Sequence, residues 1–124
     1  MKWNGKKILI VEDDEVSSIL LEELLEETKI DLIFTNSGKT AISEFKKTSG
    51  INLVLMDLQL PEMDGFDALK VIRSIEPDIP VIAQTAFYTS DMQLRCEKAG
   101  FNDFISKPLS IVELIDKITP FLNS

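Results

Sequence analysis

Acidic, hydroxyl and amine side chains stand at the ends of several apolar runs in this 124-residue chain. The triplet Glu12–Asp14 follows the first run, Asp57 ends the third, Thr85 ends the fourth, and Lys107 follows the fifth. Clustered carboxylates disfavour one another's ionised form unless a cation is present. An all-oxygen ligand set selects a hard metal ion, so these residues predict magnesium, with manganese as an alternative.

A lysine and a hydroxyl beside such a metal could bind the oxygens of a phosphoryl group. Lys107 would supply a positive charge and Thr85 a hydrogen-bond donor. The carboxylate of Asp57 could then accept the phosphoryl group and become an aspartyl phosphate. The residues therefore predict phosphoryl transfer to an aspartate, provided that the fold brings these positions together.

Short apolar runs alternate with helical patterns along the whole chain. The runs are continuous, as in strands buried on both faces of a parallel sheet. The predicted strands are Ile8–Val11, Leu32–Phe34, Leu53–Met56, Val81–Ala83 and Phe104–Ser106. The predicted helices are Glu15–Thr28, Ser37–Lys47, Phe66–Ile75, Ser90–Ala99 and Ser110–Leu122, with Ser37, Ser90 and Ser110 as N-caps. This order predicts an α/β fold in which all strands end at one edge of a parallel sheet.

Charge and composition exclude several classes of function. The net charge is −8 and the pI about 4.5, so the surface should repel nucleic acid and anionic lipid. The absence of histidine excludes a histidine base, the usual zinc sites and a phosphohistidine carrier. No apolar run approaches the roughly 18 residues of a membrane span, and the start does not resemble a signal peptide. Cys96 is interpreted as a semi-buried structural thiol.

The combined pattern resembles the receiver domain of two-component response regulators over essentially the whole chain. The resemblance rests on four motifs, at Val11–Asp14, Leu55–Gly65, Thr85–Ala86 and Ser106–Pro108. It implies a (βα)5 flavodoxin-like three-layer sandwich with strand order 2-1-3-4-5, formed by residues 1–124 as a single domain.

The resemblance also implies which residues act on the phosphoryl group. Asp57 is the phosphoacceptor, Lys107 holds one phosphoryl oxygen, and Thr85 is the switch hydroxyl that holds another. Phe104, three residues before the lysine, is the switch aromatic, which turns inward after phosphorylation. The alternative for Phe104 is a ring that belongs to the core in both states.

A metal site follows from the same resemblance. Asp13, Asp57 and the main-chain carbonyl of Gln59 would hold magnesium, with Glu12 acting through water. Glu12 stands where the family more commonly has aspartate, which leaves this expectation intact. The domain would assist its own phosphorylation and dephosphorylation without being a free-standing enzyme.

Other α/β proteins that handle phosphate agree less well with the sequence. A flavodoxin needs a hydroxyl-rich phosphate loop where this chain has Glu12–Asp14, and the P-loop motif is absent. An aspartate-nucleophile phosphatase of the haloacid-dehalogenase type is the remaining alternative. It needs a second aspartate two positions after the nucleophile, where this chain has Gln59.

The expected partner is a sensor histidine kinase or a histidine phosphotransfer domain. One half of the first predicted helix carries Val16, Leu20, Leu21, Leu24 and Leu25. Ile19 lies outside that half, among acidic residues, and is predicted to contact the partner. Direct contact with nucleic acid or membrane is not expected. A homodimer through the fourth helix, fifth strand and fifth helix is compatible with the family.

The segment Trp3–Glu12 resembles the join before receiver domains at the C-terminal end of hybrid sensor histidine kinases. We therefore expect the chain to be the receiver domain of such a kinase, with a complete single-domain regulator as the alternative. Either protein would place this domain in the cytoplasm, and a hybrid-kinase parent could be anchored in a membrane.

Overall fold

A computed structural model describes residues 2–123, so the first and last residues of the predicted domain lie outside the described residues. Five parallel strands form one sheet in the order β2-β1-β3-β4-β5, as predicted. The strands are β1 Lys7–Val11, β2 Asp31–Thr35, β3 Leu53–Asp57, β4 Val81–Thr85 and β5 Asp103–Ser106. The helices are α1 Glu15–Leu25, α2 Gly38–Lys47, α3 Gly65–Ile75, α4 Ser90–Ala99 and α5 Ile111–Leu122.

Two apolar cores flank the sheet, because successive strand residues point to opposite faces. On one face, Leu9, Val54 and Val81 pack with residues of α2, α3 and α4. On the other face, their neighbours in sequence pack with residues of α1 and α5. The predicted three-layer α/β sandwich is therefore confirmed. Within residues 2–123, no helix has the length and apolar character needed to cross a membrane.

Side chains at the helix starts explain where the helices begin. Ser37 and Ser110 cap α2 and α5 by accepting backbone N–H groups, as predicted. The prediction of Ser90 as a cap was wrong, since Thr89 accepts the N–H of Met92 and Ser90 is the first helical residue. Asp14 caps α1 by accepting from Val16 and from the hydroxyl of Ser17.

Three predictions were wrong, two for the first helix and one for the second strand. The α-helix ends at Leu25 and continues as a 3-10 turn over Glu26–Thr28. Val16 and Leu20, predicted on the apolar half of α1, are exposed, whereas Leu21 and Leu25 are buried. β2 lies at the edge of the sheet and is only partly covered. A run of three apolar residues does not reveal whether a strand is central or at an edge.

Candidate active site

One face of the sheet ends in a row of polar side chains above a layer of apolar ones. The apolar layer contains Ile10, Leu55, Ile82 and Ile105, all part of the core beneath α1 and α5. Two positions later on the same four stretches of chain stand Glu12, Asp57, Gln84 and Lys107. Residues two apart on a strand point the same way, so the sheet itself brings these four side chains together.

Lys107 is bound between two buried acids. Its Nζ donates to Oε1 of Glu12 at 2.6 Å and to Oδ2 of Asp57 at 2.8 Å. The side chains of Glu12 and Asp57 are 0% and 4% exposed, respectively, so both ion pairs are largely shielded from water. The N–H of Lys107 donates to the carbonyl of Thr85 at 2.8 Å and thereby extends the pairing of β4 with β5. The Lys107–Pro108 peptide bond is cis.

Burial and charge act on these groups in opposite directions. Burial raises the pKa of Glu12 to about 7, although the hydrogen bond from Lys107 acts to lower it. Burial alone would lower the pKa of Lys107, but its hydrogen bonds to Asp57 and Glu12 outweigh burial and raise that pKa above the ordinary value. The ammonium therefore stays charged near neutral pH, while the two buried acids compete for it.

The carboxylates of Glu12, Asp13 and Asp57 can each place one oxygen within 4.8 Å of the others. Asp13 is exposed, which leaves the group open to solvent on one side. Oxygen atoms alone at this spacing suit a hard divalent cation such as Mg²⁺. The N–H of Gln59 donates to Oδ1 of Asp57 at 2.9 Å, which fixes the loop after β3 against the acid. Asp14 of the acidic triplet is engaged as the cap of α1.

Thr85 and Phe104 lie on the opposite face of the sheet, toward α4. Thr85 is fully buried and its Oγ1 accepts the N–H of Phe87 at 3.0 Å. Phe104 is 6% exposed and packs in the core with Ala83, its register partner on β4. The exposed ring of Tyr88 lies 5.1 Å from that of Phe104, centroid to centroid. The hydroxyl and the aromatic ring are thus neighbours on one side of β4 and β5.

Two residues beside the site were not given a role from the sequence. Gly65 ends one of the four motifs, and a Cβ there would lie 2.7 Å from the carbonyl oxygen of Asp57. Only glycine lets α3 begin this close to the end of β3. Gln84 is a fully buried amide opposite Asp57. In the sequence it stands between the apolar run Val81–Ala83 and Thr85, and this polar residue at the end of a predicted strand was the available signal.

The sequence profile described as the response regulator receiver domain matches residues 8–119. The chain belongs to this family. It is 36% identical over 119 residues to the polar-differentiation response regulator DivK of Brucella ovis, an alignment that covers 94% of this chain and 96% of DivK. The resemblance inferred from the four motifs is therefore confirmed, and this chain is a receiver domain of two-component signalling.

Solved receiver domains share the fold closely. The receiver domain of the sensor histidine kinase PA1611 from Pseudomonas aeruginosa has a TM-score of 0.87 and 30% identity, covering 97% of this chain and 99% of that one. That structure contains a magnesium ion coordinated in its active-site cleft. The receiver domain of Ssk1 from Saccharomyces cerevisiae, in complex with the histidine phosphotransfer protein Ypd1, gives a TM-score of 0.90 at 28% identity, covering 99% of this chain and 92% of its counterpart.

Proposed function

We propose that this receiver domain accepts a phosphoryl group on Asp57 in a reaction that depends on a divalent metal. The observation that carries the proposal is the Lys107 ammonium, held 2.8 Å from Asp57 in a group of acids that can bind a cation. Such a site offers positive charge to phosphoryl oxygens around a carboxylate nucleophile.

The transfer can be written from the residues of this chain. A carboxylate oxygen of Asp57 attacks phosphorus in line, a new O–P bond forms, and the P–N bond of the donor phosphohistidine breaks. The imidazole leaves with the electron pair of that bond. Lys107 and the hydroxyl of Thr85 would each bind one phosphoryl oxygen. Later attack of water on phosphorus breaks the O–P bond and returns the carboxylate of Asp57.

The acidic residues would hold the metal. Asp13, Asp57 and the main-chain carbonyl of Gln59 would be direct ligands, with Glu12 bound through water. When bound, Mg²⁺ supplies positive charge against the acids and the incoming phosphoryl group. Mn²⁺, which also prefers oxygen ligands, should substitute for it.

Labelling with a small phosphodonor tests this proposal. Acetyl phosphate should label the wild-type chain in Mg²⁺ or Mn²⁺ but not in EDTA, as measured by phosphate-affinity electrophoresis and intact mass. Asp57→Asn should abolish labelling, because an amide is not a nucleophile for phosphoryl transfer. Asp64→Asn is the matched control, since Asp64 caps α3 and asparagine caps equally well. Full labelling of Asp57→Asn would show that the acceptor is wrongly assigned.

The partner surface is proposed to lie on α1 beside the site. Val16, Ile19 and Leu20 are exposed, so Ile19 belongs to a wider apolar patch than the sequence indicated. Ile19 and Leu20 follow Val16 by three and four positions, so both lie beside Val16 on the helix surface. An apolar patch at the start of α1 suits docking of a helical phosphotransfer protein. The structure of Ssk1 with Ypd1 shows that a similar receiver domain binds such a protein.

Comparison of two donors tests the α1 patch. Ile19→Asp should slow transfer from a phosphohistidine protein about tenfold or more, since it buries a charge at the interface, and leave labelling by acetyl phosphate unchanged. Leu94→Asp is the control, because Leu94 is similarly exposed but lies on α4. If Leu94→Asp slowed protein transfer as much as Ile19→Asp, docking would have to be placed elsewhere.

The proposed response to phosphorylation is a conformational change that begins at Thr85 and reaches Phe104. The new phosphoryl oxygens would draw the hydroxyl of Thr85 away from the N–H of Phe87, and the Phe104 ring would repack behind it. The face of α4, β5 and α5 would then change shape, and a homodimer through this face would respond to phosphorylation. Beryllofluoride with Mg²⁺ should shift NMR resonances along α4 and at Phe104. Shifts restricted to the metal ligands would leave Phe104 as static core.

The proposed parent is a hybrid sensor histidine kinase, with a complete single-domain regulator as the alternative. The similarity to the receiver domain of PA1611, a sensor histidine kinase, supports the first context. The alignment with nearly all of DivK supports the second. Both contexts imply a cytoplasmic domain. The open reading frame that contains this sequence distinguishes them, because a hybrid kinase would encode a kinase core upstream.

A further inference from the structure

Gln84 is a fully buried amide at the end of β4. Its register partners are Asp57 on β3 and Ile105 on β5. Leucine or methionine would fill this position without taking an amide out of water. This amide therefore suggests a polar role, and the polar side chain that it approaches is Glu12.

The amide of Gln84 is poorly satisfied in this structure. Its Nε2 lies 3.5 Å from Oε1 of Glu12, at the outer limit of a hydrogen bond. No residue between 2 and 123 provides a partner for its Oε1. Leaving a buried amide in this condition is costly, so a gain in another state of the site would account for it.

Lys107 is the main hydrogen-bond donor to Oε1 of Glu12, the same oxygen that Gln84 approaches. Its Nζ lies 2.6 Å from Oε1 of Glu12 and also binds Asp57. When Lys107 turns to a phosphoryl oxygen on Asp57, the buried carboxylate of Glu12 loses its closest donor. Its other oxygen, Oε2, keeps the N–H of Asp14 at 3.1 Å. Gln84 is already positioned to supply a replacement donor to Oε1.

We propose that Gln84 is a positioning residue that replaces Lys107 as the hydrogen-bond donor to Glu12 when Lys107 binds the phosphoryl group. We call this replacement the takeover. The inference rests on the proposed function, which provides the reason for Lys107 to move. The hydrogen bond from Gln84 then keeps the buried Glu12 carboxylate paired and fixes its position while Lys107 binds the phosphoryl group. Lys107 can then leave without abandoning a buried charge.

A double-mutant cycle tests the takeover without metal or phosphodonor. In EDTA, Gln84→Met in the wild-type chain should change the equilibrium constant of unfolding by less than about threefold, since Lys107 already serves Glu12. In the Lys107→Met background, the same change should raise that constant about tenfold. Lys117→Met is the matched control, because Lys117 pairs with Asp103 at 3.0 Å away from Glu12. Equal effects of Gln84→Met in all three backgrounds would overturn the proposal. Gln84→Leu repeats the cycle with a second apolar side chain.

NMR of the Gln84 side-chain amide provides a second readout. Adding Mg²⁺ and beryllofluoride to the full chain should shift this N–H pair, because the amide moves onto Glu12. The shift should vanish in Glu12→Asp, whose shorter side chain cannot reach Gln84. If beryllofluoride binds in an Asp57-dependent way and the Gln84 resonance stays still, the takeover is wrong and the proposed function stands. If beryllofluoride does not bind, the proposed function fails, and the metal-free cycle alone decides on Gln84.

Discussion

The two ends of the sheet treat polar groups in opposite ways. At the amino end of β4 and β5, the guanidinium of Arg73 donates to the carbonyls of Ile79 and Gly100 and to Oδ1 of Asn102. All three acceptors of Arg73 are neutral, and Oδ1 of Asn102 also accepts the N–H of Val81 at 2.9 Å. At the carboxyl end, the acids Glu12, Asp13 and Asp57 crowd around Lys107.

The difference separates a structural network from a functional one. At the amino end, the Arg73 guanidinium joins the starts of two strands to α3 through neutral acceptors, an arrangement that stabilises the fold. The carboxyl end gathers like charges in a buried place, which costs stability unless a cation arrives. The apolar layer beneath it, from Ile10 to Ile105, keeps the acids in position despite their repulsion. A ligand should therefore stabilise this end of the molecule and leave the other unaffected.

The largest expected effect comes from the amino end. Arg73→Leu should lower the free energy of unfolding by about 2–3 kcal/mol, because several main-chain and amide oxygens lose a charged donor. Arg95→Leu is the control, since Arg95 only stacks on Phe66 at 4.1 Å and should cost about 0.5–1 kcal/mol. Urea unfolding measures both variants. Equal losses would mean that the Arg73 network does not hold the strand starts.

Metal binding at the carboxyl end of the sheet should give the next largest effect, an increase in the free energy of unfolding. At a Mg²⁺ concentration about tenfold above Kd, the free energy of unfolding should rise by about 1.4 kcal/mol. The increment should shrink in Asp13→Asn, which removes a ligand charge, and persist in full in Arg73→Leu, because distant sites act additively. Thermal unfolding with and without EDTA measures it. A reduced increment in Arg73→Leu would show that the two ends are coupled.

The carboxyl end could be predicted from the sequence because its residues follow strands. In a parallel sheet all strand ends meet at one edge, so Glu12, Asp57 and Lys107 had to converge once the alternation of strands and helices was established. Their roles as metal ligands, acceptor and phosphate-binding group remain predictions. Thr85 was also placed at this edge, but its side chain faces α4, since it alternates with Gln84 along β4.

Other features depend on packing that a local pattern does not contain. The periodicity of α1 placed Val16 and Leu20 on its apolar half. Both residues are nevertheless exposed, because burial depends on how the helix packs against the sheet. Cys96 was expected to be semi-buried and is fully buried, with burial raising its thiol pKa. The need for glycine at position 65 arises from the approach of α3 to the carbonyl of Asp57, a tertiary contact.

The smallest expected effect is a dependence of stability on pH that belongs to the carboxyl end alone. Burial raises the pKa of Glu12 to about 7 in the folded chain, whereas glutamate in an unfolded chain titrates near about 4.3. Because the folded pKa is the higher one, the folded state binds the proton more tightly. Its contribution to stability is full below the unfolded pKa and is lost as pH rises through the folded pKa. Metal-free protein should therefore lose about 1 kcal/mol of unfolding free energy between about pH 6 and pH 8.

Urea unfolding in EDTA measures this loss. Glu12→Gln should abolish it, and Arg73→Leu should retain it. A wild-type profile that is flat over this range would mean that Glu12 is ionised at no cost, and that the contrast between the two ends does not arise from its burial.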